Sequence, residues 1–180
     1  GTSVESAQAI ERVAGIVRDR LAKHPVVVVS AMGKTTNKLL AIAGAAVEGK
    51  REEALAKLEE LRAFHIHEAA GLGVNEQIGA HFQELAELVT GIAVMGEMTP
   101  RATDAVSAFG ERLSSIIVTA RFRHLGIDAT HVDSRSVIVT DTRHTQAAPI
   151  FAETYTRLAV TIPPLAAQHV VVMGGFTGST

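Results

Sequence analysis

Four consecutive valines, Val26–Val29, run without interruption into a short polar turn, Ser30-Ala31-Met32-Gly33-Lys34-Thr35-Thr36-Asn37, and then into a helix-forming segment, residues 38–47. No other feature constrains the fold as much. Valine branches at Cβ and packs well on a pleated surface. An apolar run without alternation predicts a strand buried on both faces, as in a parallel sheet. Open α/β sheets bind ligands just beyond the carboxyl ends of such strands. Residues 30–37 stand at that place, with three hydroxyls, an amide and the N–H groups that open a helix. The Gly-Lys-Thr within the turn resembles the end of a phosphate-binding P-loop. That motif needs a glycine five residues earlier, and position 28 is Val28, so the motif fails at the residue that makes its turn.

The chain length of 180 residues suits one domain with a substantial core. A net charge of −2 and 4% aromatic residues, with no Trp, argue against a nucleic-acid partner. The absence of cysteine excludes disulfides and thiolate metal sites and fits a cytoplasmic protein. No apolar run approaches the roughly 20 residues of a membrane span. The first residue is not Met, which implies a processed or trimmed product.

Along the chain, Thr2 and Glu5 are spaced as a capping box for a helix reaching Lys23, with Ile10, Val13, Ile16 and Val17 on its apolar side. A helix so close before a buried strand implies an earlier strand ahead of Gly1. Residues 51–70 read as a charged helix carrying Leu55, Leu58 and Leu61. A second helix, capped at Asn75, carries Phe82, Leu85, Val89 and Ile92. The two form a polar-faced hairpin, an excursion of about residues 51–98 at the sheet's edge. Thr99-Pro100 starts another helix. Within it, Leu113, Ile116, Ile117 and Ala120 mark the buried stripe, and Glu111, Ser114 and Ser115 share a different face. A carboxylate beside hydroxyls is suited to a substrate ammonium. The plainer reading, which sequence physics alone favours, is a glutamate stabilising the positive end of a helix.

Residues 128–132 and 136–140 read as short strands flanking Asp133, Ser134 and Arg135. The alternating Asp133, Arg135, Asp141 and Arg143 read as structural ion pairs. Residues 154–162 read as a helix ended by Pro163 and Pro164. Residues 169–173 read as the last buried strand, entering Gly174-Gly175-Phe176-Thr177-Gly178-Ser179-Thr180. Glycines there would let backbone N–H groups approach a phosphate. The eight histidines form no ligand set and read as surface or half-buried imidazoles. Neither Ser30 nor Ser115 has an identifiable base.

The ordered set Gly1-Thr2-Ser3-Val4, VSAMGKTTN (29–37), FGERLSS (109–115), residues 139–141 and GGFTGST (174–180) resembles the catalytic, amino-acid-kinase domain of aspartate kinases over essentially the whole chain. The resemblance implies an α/β fold, a three-layer αβα sandwich on a mainly parallel sheet, here incomplete. It implies residues 1–180 as the N-terminal part of a single catalytic domain, with the regulatory ACT domains absent. It implies transfer of the ATP γ-phosphoryl to the side-chain carboxylate of L-aspartate, the step that opens lysine, threonine and methionine biosynthesis. ATP and Mg²⁺ would be required, and the full-length protein would form a homo-oligomer. By position, Thr36 and Ser30 would line the aspartate pocket, and Glu111 would hold the ammonium, reversing the plainer reading. Gly1, Thr2 and Ser3 would belong to the first nucleotide loop, and Gly174, Gly175, Thr177, Gly178 and Ser179 would lie near the nucleotide.

The family's opening Lys-Phe-Gly-Gly-Thr-Ser-Val is matched here only from its second glycine. The lysine that neutralises phosphate, and the later arginine and aspartate that assist transfer, would lie outside this chain, which is expected to be weakly active or inactive alone. Two other readings remain: a relative with a different acceptor, and a non-catalytic anion-binding or assembly fragment.

Overall fold

A computed structural model describes residues 2–180. Three strands, β1 (Val26–Val29), β2 (Ala129–Val132) and β3 (Val170–Gly174), form a parallel sheet in the order β1-β3-β2. The last strand in sequence is therefore the middle one in space. Among the described residues six α-helices accompany them: α1 (Ala7–Arg18), α2 (Thr35–Val47), α3 (Arg51–Glu68), α4 (Asn75–Met95), α5 (Pro100–His124) and α6 (Phe151–Ala166).

β3 shows why the sheet is the middle of three layers. Its side chains alternate between faces. Val170 and Val172 enter the main core, built with α1 to α5, whereas Val171 and Met173 enter a second core with Leu158, Ile162 and Ala166 of α6. The central strand is thus buried on both sides. β1 is not. Val29 is buried, but Val28 is 63% exposed. The expectation of a strand covered on both faces is corrected for β1: α6 lies over β3, and Val26 and Val28 instead line an open cleft.

Helix α5 crosses behind all three strands and is the spine of the main core. Thr99 caps it by accepting from the Ala102 N–H, and Pro100 occupies its first turn. Phe82, Leu85, Val89 and Ile92 of α4 are all buried. The α3–α4 hairpin packs on α2, and α4 also packs on α5.

Several local expectations are corrected. The first helix is capped not by Thr2 but by Ser6, whose side chain accepts from the Ala9 N–H. Residues 2–4 form a separate 3₁₀ turn that buries Val4, and α1 ends at Arg18. Ile16 is 55% exposed, because α1 buries only the narrow stripe through Ile10, Ala14 and Val17. Asn75 opens α4 without a side-chain cap. Residues 136–140 are not a strand. The Asp133 carboxylate accepts from the Arg135 N–H and the Ser136 hydroxyl donates to the Asp133 carbonyl, which winds residues 134–136 into a 3₁₀ turn. Only single bridges follow, Val139 with Ser179 and Thr140 with Pro149. Pro163 and Pro164 lie inside α6 rather than after it. Both are exposed, as are Ala159 and Val160, so the carbonyls that lose a donor sit on the solvent side.

Candidate functional site

Parallel strands all end on the same side of a sheet, so the segments after Val29, Val132 and Gly174 meet there. Val29 is in register with Gly174, and the Gly175 N–H donates to the Val29 carbonyl at 2.8 Å. The two glycine-bearing strand tips are therefore direct neighbours. Beside them opens a cleft of about 1820 Å³.

Glu111 sits at the junction. It lies twelve positions into α5, so it stabilises no helix start, and the plainer sequence reading is corrected. The carboxylate is buried and accepts from the Ala31 N–H at 3.1 Å. Burial pushes its pKa above the ordinary carboxylate range, and the Ala31 hydrogen bond opposes that push. No cation is paired with it among the described residues. Two glycines permit this placement. A Cβ on Gly110 would come within 2.7 Å of the Ala31 Cβ and 3.3 Å of the Thr36 Oγ1; one on Gly174 would come within 3.1 Å of the Glu111 Cβ. Helix, turn and strand tip are thus in backbone-level contact.

Of the residues expected at the site, Thr36, Glu111, Gly174, Gly175, Thr177, Gly178 and Ser179 line the cleft. Ser30, Thr2 and Ser3 are exposed and are not among its lining residues. Gly1 lies outside the described residues. The C-terminal glycines have a reason beyond ligand approach: a Cβ on Gly178 would fall 2.9 Å from Thr140 Cγ2 and 3.1 Å from the Ile138 carbonyl. The Ser179 N–H donates to that carbonyl. Between these anchors, the N–H groups of Phe176, Thr177 and Gly178 take no partner among the described residues.

Sequence reasoning missed Arg135 as a site residue and read it only as half of an ion pair. It does pair with Asp133, at 2.6 Å, but it also lines the cleft just beyond the tip of β2. Its place after the third strand end is the signal that would have found it. Arg112 lines the cleft as well, tied to Glu84 at 2.8 Å and stacked on Phe109 at 4.3 Å. Asp141 and Arg143 form their own exposed pair.

Two histidine expectations are corrected. His65 is wholly buried, not a surface imidazole. Ser115 does meet a base, with His131 Nε2 3.0 Å from its hydroxyl oxygen. The same hydroxyl lies 3.0 Å from the Arg112 carbonyl, an acceptor that competes with His131 for its one proton.

Among the described residues no three His, Asp or Glu side chains gather to hold a metal ion. No helix among them is long and apolar enough to cross a membrane.

Comparison with known proteins agrees with this geometry. Aspartokinase 2 (chloroplastic) of Arabidopsis thaliana is 34% identical over 165 residues, 90% of this chain and 30% of that protein. Lysine-sensitive aspartokinase 3 of Escherichia coli is 30% identical over 181 residues, 99% of this chain and 39% of that protein. The crystal structure of E. coli aspartokinase III in complex with aspartate and ADP (R-state) superposes with a TM-score of 0.88 at 28% identity, covering 99% of this chain and 40% of that one. The complex of the same enzyme with lysine and aspartate (T-state) gives 0.85 at 27% identity. The chain thus spans roughly a third of the length of these relatives. The family model for amino acid kinases matches residues 1–180, and the chain belongs to the amino acid kinase family.

Proposed function

We propose that this chain forms the acceptor half of an aspartate kinase site, binding L-aspartate in the cleft and presenting it to ATP. The carrying observation is the buried Glu111, an acceptor without a cationic partner among the described residues, held by the Ala31 N–H beside two strand tips. A buried carboxylate of this kind favours a cationic group, and the ammonium of an amino acid supplies one. Thr36 contributes a hydroxyl on the same wall, and Arg135, already paired with Asp133, lies further along the cleft. The open N–H groups of residues 176–178 suit phosphate oxygens. In the reaction, a side-chain carboxylate oxygen of aspartate attacks the γ-phosphorus, the bond from that phosphorus to the β–γ bridging oxygen breaks, and ADP leaves with the electron pair. Any Mg²⁺ would arrive on the nucleotide, and the reaction is read as cytoplasmic.

Phosphoryl transfer depends mostly on alignment and on neutralising charge. Among the described residues no lysine lines the cleft, and Arg112 and Arg135 are each tied to a carboxylate. The 180-residue chain therefore binds aspartate better than it turns it over. Calorimetry with L-aspartate and with succinate, which lacks the ammonium, tests the reading. Aspartate should bind at least about tenfold more tightly, the scale of one charged hydrogen bond. Equal affinities would sink it. ADP release with aspartate as acceptor should be slow and should vanish in Glu111→Gln.

A further inference from the structure

Helix α3 reaches the site only through its last turn, and what it does there is unassigned. Phe64 presses on Gly33, where φ is +53° and an added Cβ would meet the ring at 2.7 Å. The next residue, His65, is wholly buried. Its Nδ1 lies 2.8 Å from the Leu61 carbonyl, which can only accept, so Nδ1 carries the proton and Nε2 is left as an acceptor. Nε2 lies 3.3 Å from the hydroxyl of Thr35, itself fully buried. The Thr35 hydroxyl also reaches the Met32 carbonyl at 2.5 Å, and the Thr35 N–H donates to the same carbonyl at 2.9 Å. One hydroxyl proton therefore faces two acceptors, both fixed.

This knot lies directly behind the substrate wall. Ala31, one residue before Met32, gives Glu111 its hydrogen bond, and Thr36, one residue after Thr35, lines the cleft. The turn between them is costly to hold. Lys34 adopts a left-handed φ of 58° directly after Gly33, a conformation that side chains with a Cβ disfavour. Strain of this kind persists only where surrounding structure enforces it. The enforcing groups come from the helical hairpin: Phe64 on Gly33, His65 on Thr35, and Phe82 of α4 against the imidazole at 5.5 Å. Lys38 of α2 and Glu68 of α3 are the charged groups that act on the ring, with opposite effects.

We infer that His65 is a positioning residue for the acceptor substrate: its neutral imidazole, acting through Thr35, fixes the turn that carries the Ala31 N–H and the Thr36 hydroxyl. The assignment of aspartate as that substrate rests on the preceding section; the control of the turn does not.

The test uses the 180-residue chain and four variants: His65→Leu, which keeps apolar bulk without an acceptor; His65→Gln, whose side-chain oxygen can replace Nε2; Thr35→Val; and the His65→Leu/Thr35→Val double variant. Amide hydrogen exchange at Ala31 and Thr35 is read without ligand. It should rise on the order of tenfold in His65→Leu and Thr35→Val, rise no further in the double variant, and stay near wild type in His65→Gln. L-aspartate affinity should fall on the order of tenfold in the same pattern, because small misplacements of binding groups are expensive, with ADP affinity unchanged. Should His65→Leu exchange and bind like wild type, the inference is overturned. Should His65→Leu fail to fold, His65→Gln and Thr35→Val decide it: near-wild-type exchange in Thr35→Val overturns it. A wild-type chain that binds no aspartate refutes the proposed function, and the exchange data alone then judge the role of His65.

Discussion

The turns after β1 and β3 meet at one cleft yet are held by opposite means. The turn after β1 is gripped by side chains: Phe64 on Gly33, His65 on Thr35, and Lys38 over the Phe64 ring at 5.0 Å. The turn after β3 is held chiefly at its main chain. Gly175 bonds to Val29, Ser179 to Ile138, the Ser134 hydroxyl donates to the Gly174 carbonyl, the Ser179 hydroxyl to that of Arg135, and Gly174 and Gly178 leave no room for a Cβ. A turn clamped by side chains can be loosened without disturbing the sheet, whereas one zipped by main chain moves only with its strands. On the proposed reading, the first would be the wall that reads the amino acid and the second the cradle that offers N–H groups to phosphate.

Experiments can break or sharpen this contrast, beginning with the group the two turns share. Glu111→Gln keeps an acceptor for the Ala31 N–H but removes the charge. Aspartate affinity should fall on the order of a thousandfold, about 4 kcal/mol, while the urea midpoint barely moves; calorimetry and denaturation read the two separately. His65 comes next. Burial pulls its pKa down from an ordinary 6.5 to about 4. The folded ring stays neutral where the unfolded one takes up a proton, so stability is complete above pH 6.5 and is lost as pH falls toward 4. The loss should be on the order of 3 kcal/mol and be absent in His65→Leu, as measured by urea unfolding across that range.

A smaller effect separates the turns directly. Gly33→Ala meets the Phe64 ring and a left-handed φ, and should cost roughly 2 kcal/mol. Phe64→Leu should recover part of that cost in a double-mutant cycle, since the obstacle is a side chain. Gly178→Ala should cost about 1 kcal/mol, and trimming Thr140 to serine should recover little, because the Ile138 carbonyl remains in the way at 3.1 Å. Equal rescue in both cycles would erase the contrast.

How much of this was legible depended on how local its cause was. The Val26–Val29 strand, the Thr99 cap and the α4 stripe follow from spacing within one element, and all stand in the structure. The meeting of Thr36, Glu111 and Gly174 was legible because parallel strands share one carboxyl end and because the motifs occur in a known order. What escaped depends on partners far along the chain. Val28 is exposed because α6 covers a different strand. The prolines of α6 are tolerated because their turn faces water. The helix-start reading of Glu111 sat poorly with the Thr99-Pro100 start eleven residues earlier, and what the residue does instead depends on Ala31, eighty positions away. His65 carried no signal at all, since a histidine in a charged helix looks the same whether it faces solvent or a threonine thirty residues away.

The strand order carries a consequence for how the molecule is made. Among the described residues β1 and β2 do not pair with each other; each pairs with β3, which follows both in sequence. On the ribosome the helical hairpin can close early, from neighbours in sequence. Among the described residues the strand partner of Val26–Val29 is Val170–Gly174, so this part of the sheet closes only after more than a hundred further residues have been made. Slowing translation late in the message would prolong that interval.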